Sequence, residues 1–119
     1  MDNSDLIGED AIIQGVNYSL EFNYQDDAGA AIDLTGKQLR FVIFNQSTGQ
    51  QVAAYSTETT GVTCPTPVSG ISYLSIAANA TLALSAGLFG YKYEMYIGST
   101  NVERLADGRI EVAKIRVTP

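Results

Sequence analysis

The sequence of 119 residues contains no histidine, no tryptophan and a single cysteine, Cys64. Without histidine, the chain cannot build a Ser-His-Asp or Cys-His nucleophile, and it lacks the usual nitrogen ligand of zinc. One cysteine cannot form an intrachain disulfide, which is typical of a protein made in a reducing cytoplasm. No basic neighbour in the sequence would activate the Cys64 thiol. We therefore expect no enzymatic activity, no cofactor and no metal site.

Long apolar segments are also missing. A membrane-spanning helix needs a run of about 18 apolar residues, and none occurs, so we expect no membrane partner. The N-terminus, Met1–Asp5, is acidic where a secretory signal is basic and then apolar. Apolar residues make up 45% of the chain and charged residues 17%, as in folded globular proteins. The length fits one domain, which we place at residues 11–119, with residues 1–10 as a flexible arm.

Positive charge is scarce in the first third of the chain. The sequence has 13 acidic and 7 basic residues, for a net charge of −6. Every charged residue before Lys37 is acidic: Asp2, Asp5, Glu9, Asp10, Glu21, Asp26, Asp27 and Asp33. Most basic residues lie near the other end: Lys92, Arg104, Arg109, Lys114 and Arg116. The pattern fits either a solvated acidic surface or end-to-end assembly of acidic on basic faces. The lack of a basic cluster argues against nucleic acid as a partner.

Alternation of apolar and polar residues predicts β-strands along most of the chain. Residues 18–25 alternate for four periods and indicate a half-buried strand. Residues 38–45 carry apolar side chains on both faces, which indicates a central strand. The full set of predicted strands is 18–25, 38–45, 51–57, 62–64, 71–76, 89–97, 102–105 and 109–117. Strand 62–64 precedes two prolines, which favours a short edge position.

Glycines mark the predicted turns. We assign four of them to structural turns: Gly29, Gly36, Gly87 and Gly108. The pair Asp107-Gly108 is typical of a tight hairpin turn between two strands. Residues 77–86 break the two-residue period and favour a short helix, with Gly87 just past the helix end.

These elements predict the fold class. Seven to eight short strands, spaced about ten residues apart and joined by turn signals, are typical of an all-β protein. We expect an antiparallel β-sandwich of the immunoglobulin-like type with one short helical turn.

Three segments occur in a familiar order. They are residues 29–36 before a strand, then residues 86–95, then residues 102–112. This order resembles small structural domains of tailed-phage virions, in particular the N-terminal domains of baseplate upper proteins and β-sandwich modules of fibres and tails. The resemblance implies a non-enzymatic adaptor in the tail, baseplate or fibre-attachment region, made in the host cytoplasm. Its implied partners are other virion proteins in a symmetric or homo-oligomeric assembly. The chain departs from the pattern at Ala106, where a bulky apolar residue is expected.

Aromatic side chains on the less regular strand faces are candidate interface residues. They are Phe44, Tyr55 and Tyr96, since tyrosine buries a large area and keeps a polar group. Packing in the core is the competing interpretation for all three. A carbohydrate-binding module is the alternative function, because exposed tyrosines can stack on sugars. A calcium site at Asp26, Asp27 and Asp33 is a further alternative to ordinary turn chemistry.

Overall fold

The computed structural model describes residues 2–3, 5–97 and 100–114, most of which lie in strands. Nine strands occur in this part of the chain: β1 (Asp2–Asn3), β2 (Ile12–Ile13), β3 (Tyr18–Asn23), β4 (Gln38–Phe44), β5 (Gln51–Ser56), β6 (Val62–Thr63), β7 (Ile71–Ile76), β8 (Gly87–Ile97) and β9 (Thr100–Ala113). One helix, α1 (Ala78–Leu82), and two 3-10 turns, Gly8–Asp10 and Pro67–Ser69, lie between them. The prediction of a mainly β protein is confirmed. The structure has two 3-10 turns in addition to the one short helical turn that the sequence predicts.

The strands form two sheets. Sheet A has the order β1-β9-β8-β4-β5, with β2 also paired to β9, and sheet B has the order β3-β7-β6. The long neighbouring strands are antiparallel, but β1 and β2 both run parallel to β9. The prediction of a purely antiparallel arrangement is therefore wrong for sheet A, which is mixed.

The two sheets pack on each other around one apolar core. Phe22 of sheet B stacks on Tyr93 of sheet A, with ring centroids 4.1 Å apart. Phe41 stacks on Tyr91 within sheet A at 5.3 Å. Leu74 of sheet B is fully buried in the same cluster. Since full burial of one such side chain contributes about 1.5–3 kcal/mol, this cluster is the main source of stability.

The cleanest alternating segments form strands as predicted. In β3 the apolar side chains turn toward the core and the polar ones toward solvent. Strand β4 lies between β8 and β5, which confirms its central position. The short strand β6 lies at the edge of sheet B, also as predicted. The last residues of the predicted strand 109–117, from 115 onward, lie outside the described residues.

The predicted turn at Asp107-Gly108 is wrong, because β9 continues through both residues without interruption. Gly108 lies opposite Tyr91 of β8, and Ala106 lies opposite Tyr93. Both tyrosines are buried on the core side of sheet A. Small residues at these two positions leave room for the neighbouring rings, which accounts for Ala106 where a bulky residue was expected.

The helix ends earlier than predicted, so the assignment of Gly87 to the helix terminus is also wrong. Helix α1 ends at Leu82, and Gly87 is the first residue of β8, opposite Val112. The helix begins at Ala78, whose N–H donates to Asn17 Oδ1 at 2.7 Å. A distant side chain therefore provides the cap. None of the helices in the described part of the chain has the length and apolar character needed to cross a membrane.

Two of the four predicted glycine turns are confirmed. Gly29 donates its N–H to the Asp26 carbonyl at 2.9 Å and has φ of 84°. Gly36 has φ of 77° in a turn closed by the bond from Lys37 N–H to the Leu34 carbonyl at 3.0 Å. Glycine is favoured at both positions because side chains disfavour positive φ.

The N-terminal segment lies along β9, in contrast to the predicted flexible arm. Leu6 donates its N–H to the Arg109 carbonyl at 2.7 Å and accepts from Glu111 N–H at 2.9 Å. Its side chain packs against the core cluster. Asp5 pairs with Arg109 at 2.8 Å, and the hydrogen bonds from Arg109 lower the Asp5 pKa. This segment is part of the folded domain.

Deletion of residues 1–9 is expected to destabilise the domain by about 2–3 kcal/mol, because it exposes the core surface that Leu6 covers. The melting temperature should fall by about 10 °C, measured by circular dichroism. Asp5→Ala is the control, because it removes only exposed contacts, the ion pair with Arg109 and the hydrogen bond from the Arg109 N–H, and should change the melting temperature far less. An unchanged melting temperature after the deletion would show that the segment contributes nothing to the fold.

Candidate interaction surface

The outer face of sheet A is the surface that points away from the core. Alternation turns Leu39, Phe41 and Ile43 of β4 inward, so the intervening residues and their cross-strand neighbours form the opposite face. These residues are Gln38, Arg40, Val42, Phe44, Ala54, Ser56, Lys92, Glu94, Tyr96, Arg104 and Asp107. The face combines charged, aromatic and small apolar side chains.

A charge network crosses the middle of this face. Glu94 has a side chain only 6% exposed, and its Oε1 accepts a hydrogen bond from Arg40 Nε at 2.9 Å. Arg104 Nε approaches the second oxygen, Oε2, at 3.7 Å. Arg104 also donates through its Nη1 to Asp107 Oδ2 at 3.0 Å. Burial of a carboxylate is costly unless it is paired, so Glu94 holds both arginines in place and joins β4, β8 and β9.

Tyr96 extends the network at one end of the face. The Arg40 guanidinium carbon lies 4.7 Å from the centroid of its ring, a cation–π contact. The Tyr96 hydroxyl donates to Glu58 Oε1. Removal from water and this hydrogen bond raise the pKa of Tyr96. Because Arg40 and Glu58 cover it, the ring is buried rather than free to stack on a ligand.

Phe44 lies at the opposite end of the same face. It pairs with Gly90, whereas Tyr96 pairs with Gln38, so the two aromatic residues are separated by six positions of β4, about 20 Å. The Phe44 ring lies over Gly90, where a Cβ atom would come within 2.5 Å of Phe44 Cζ. Its ring is half-buried and rests directly on the backbone of β8.

Tyr55 lies on the other side of the sheet. It pairs with Phe41, which points inward, and its ring packs against the core cluster. Burial raises the pKa of its phenol. The structure therefore places Phe44 and Tyr96 on one face and separates Tyr55 from them, and for Tyr55 it favours the core-packing interpretation.

The charged residues of the network were missed as a group by the sequence interpretation. Arg40 is the only charged residue within the apolar strand β4, which is a usable signal. Glu94 and Lys92 share the face of β8 that carries Tyr96. The grouping itself depends on the register among three strands, which the sequence pattern does not specify.

The aspartates considered for calcium serve as turn residues. Asp26 Oδ1 accepts the N–H groups of Ala28 and Ala30, each at 2.9 Å. Asp33 Oδ1 accepts from both the N–H and the hydroxyl of Thr35, and these bonds lower the Asp33 pKa. Within the described residues, no group of three acidic or cysteine side chains could hold a metal ion.

The outer face of sheet A forms a shallow depression of about 490 Å³ between Arg40, Lys92, Glu94 and Tyr96. Its groups can form ion pairs and hydrogen bonds, and Phe44 adds apolar contact area. Charged residues held in fixed positions beside an aromatic residue are suited to recognition of a protein surface.

A comparison of the chain with protein-family models finds no match, and a comparison with curated proteins finds none either.

Proposed function

We propose that this chain is a non-enzymatic structural or adaptor protein of a phage-type virion. It belongs to the tail, baseplate or fibre-attachment region and acts through protein–protein interfaces in a symmetric assembly. The observation that carries the proposal is the position of the three segments behind the phage resemblance. Residues 86–95 and 102–112 pair through β8 and β9, and residues 29–36 lead toward β4. Two of the three segments thus form neighbouring strands of sheet A, and the third precedes the central strand of that sheet.

The strand order supports an immunoglobulin-like β-sandwich as the finer description of the fold. Sheet B, β3-β7-β6, corresponds to the B-E-D strands of immunoglobulin domains, and β9-β8-β4-β5 corresponds to G-F-C-C′. Strand β2 then corresponds to the first strand of the immunoglobulin fold, here paired in parallel with the G strand, β9. In variable-type domains the G-F-C sheet gains additional strands, as sheet A does with β5.

The outer face of sheet A supports a role in assembly. Many identical copies in a particle allow each contact to be weak, because binding sites act together at high effective concentration. The half-buried ring of Phe44 provides apolar area, and the network around Glu94 fixes the charged groups before a partner binds. Such preorganisation reduces the entropy lost on association.

The carbohydrate-binding alternative has lost its main support. It required tyrosine rings open to a sugar, yet Tyr96 is covered by Arg40 and Tyr55 packs on the core. Tyr73 is 40% exposed on the outer side of sheet B, but its cross-strand neighbours are Glu21 and Thr63, neither of which is aromatic.

The decisive experiment is quantitative mass spectrometry of purified particles from the source phage or induced prophage. The proposal expects this chain at a fixed, symmetric copy number, with electron microscopy of labelled chain locating it in the tail. Phe44→Ala should lower incorporation about tenfold, as loss of a central aromatic contact does. Tyr73→Ala, the matched change on sheet B, should leave incorporation unchanged. Absence of the chain from particles would exclude the virion role.

A further inference from the structure

Strand β3 is an open edge of sheet B. It pairs with β7 on one side, and no strand in the described part of the chain pairs with its other side. Tyr24 donates its N–H to the Gly70 carbonyl on the β7 side. Because antiparallel pairing alternates, the backbone groups of Ser19, Glu21 and Asn23 point to the open side. This edge therefore presents unpaired donors and acceptors at strand spacing, a template for an added strand.

Two recesses with mixed polar and apolar linings lie beside the open edge. One recess, of about 50 Å³, is bounded on one side by Phe22 of β3 and Tyr24, the residue after β3. Leu105 of β9 bounds it on the other side. The other, of about 250 Å³, lies between Leu20 and the N-terminal residues Ile13 and Val16, and its lining also includes the polar residues Asp10, Asn17 and Ser19. Alternate side chains of an added strand point toward the interior of a sandwich, so these recesses can receive apolar residues.

The charge around the open edge is acidic. Glu21 is exposed at the centre of β3. Asp10 lies near the start of the strand, where its backbone carbonyl accepts a hydrogen bond from the Tyr18 hydroxyl. Glu103 lies near the other end, where its Oε2 accepts a hydrogen bond from the Tyr24 hydroxyl. None of the three acids has an ion-pair partner within the described residues. The edge therefore favours a strand that carries basic residues. Pairing of β3 with β3 of a second copy would bring two Glu21 carboxylates together, which is unfavourable.

The chain contains a segment with the matching pattern. Residues 114–118, Lys-Ile-Arg-Val-Thr, alternate polar or basic residues with β-branched apolar ones, the period and composition of a strand. Residues 115–118 lie outside the described residues. Strand β9 runs parallel to β2 as far as Ala113, and β2 is followed by the turn that leads back into β3. The described part of β9 thus ends beside the turn that joins β2 to β3.

We propose that residues 114–118 of one copy add as a strand to the open edge of β3 in the next copy. In the proposed contact, Lys114 and Arg116 flank Glu21, and Ile115 and Val117 contact the apolar side chains of the two recesses. Since the two surfaces differ, the contact is head-to-tail and generates rings or filaments. This inference goes beyond the proposed virion role, because it concerns association of the purified chain without any particle protein.

Analytical ultracentrifugation of the full chain tests the proposal. We expect association that increases with concentration and weakens with added salt. Glu21→Lys should weaken association about tenfold, and the pair Lys114→Glu and Arg116→Glu should do the same. Combining all three changes should restore association to within about threefold of the original chain. Asp27→Lys, an equal charge change at an exposed turn, is the control and should have little effect. Failure of the triple variant to recover would overturn the proposal.

A synthetic peptide separates strand pairing from simple charge attraction. A peptide with the sequence of residues 113–119 should inhibit association of the full chain. The same peptide, methylated at the backbone nitrogens from Lys114 to Val117, keeps its charge but cannot donate to β3, and should not inhibit. Equal inhibition by both peptides would overturn the proposed strand addition, as would a chain that stays monomeric at every concentration.

Discussion

Gly70→Ala is expected to destabilise the domain by about 3–5 kcal/mol, the sum of a strained backbone conformation and a backbone clash. Gly70 has φ of 71° directly after the 3-10 turn Pro67–Ser69. A Cβ atom there would lie 2.5 Å from the Tyr24 carbonyl oxygen and 3.0 Å from the Ile32 carbonyl oxygen. The Tyr24 oxygen cannot move freely, because it also accepts the Ile32 N–H at 3.1 Å. Urea unfolding of the two chains measures the difference.

Gly49→Ala is the matched control for this substitution. Gly49 has a similar φ of 76°, but a Cβ atom there meets nothing within 4 Å. The expected cost is therefore only that of the left-handed backbone, about 1 kcal/mol. An equal decrease in the free energy of unfolding for the two variants would show that the close approach at Gly70 adds nothing to the cost of the substitution.

Tyr93→Ala is expected to cost about 3–5 kcal/mol, as large core truncations do. Tyr93 is fully buried and stacks on Phe22, so its ring joins the two sheets. Its hydroxyl also shares a buried hydrogen bond of 2.6 Å with Ser72 Oγ. Tyr93→Phe removes only the hydroxyl and should cost about 1–3 kcal/mol, since Ser72 is left without this partner. Chemical denaturation of both variants, together with Ser72→Ala, gives the coupling between the two hydroxyls. If the decreases in unfolding free energy caused by Tyr93→Phe and Ser72→Ala simply add in the double variant, the hydrogen bond between the two hydroxyls is contradicted.

Tyr93 also makes the stability of the domain depend on pH in the alkaline range. Burial raises the pKa of its phenol above the usual 10.0, and the bond with Ser72 opposes this only partly. The unfolded chain therefore loses this proton first, so the stabilisation is complete below about pH 10 and decreases as the pH rises further. Burial raises the pKa of Tyr18 in the same direction. Tyr93→Phe should reduce, but not remove, the loss of stability in this range.

Strands with a strong local pattern were predictable from the sequence. In β3 and β8 the alternation arises from one buried face, which the residues themselves encode. The Asp107-Gly108 turn was not predictable in the same way. The local sequence favours a hairpin, but pairing with β8 over the whole length of β9 keeps these two residues in an extended strand. The partner of Gly108 is Tyr91, and this can be known only from the register between the two strands.

The candidate surface was predictable only in part. Alternation alone places Phe44 and Tyr96 on the outer faces of their strands. Tyr55 was not separable from them, because a register shift between Ile43 and Phe44 determines which residues of β5 face the core. The Glu94 network depends on residues from three strands, and a shift of one residue in any of them would turn its side chains to the other face.

The parallel pairing of the N-terminal strands with β9 has a consequence for how the protein is made. Asp2 lies beside Ala106, and Ile12 beside Val112, so β1 and β2 pair with a strand that is translated much later. Such non-local contacts form late and slow folding. Until β9 emerges, Leu6 and Ile12 lack the surface that buries them, and the nascent chain exposes them to other molecules. Translation of β9, rather than hairpin formation in the middle of the chain, therefore sets the moment when sheet A can close.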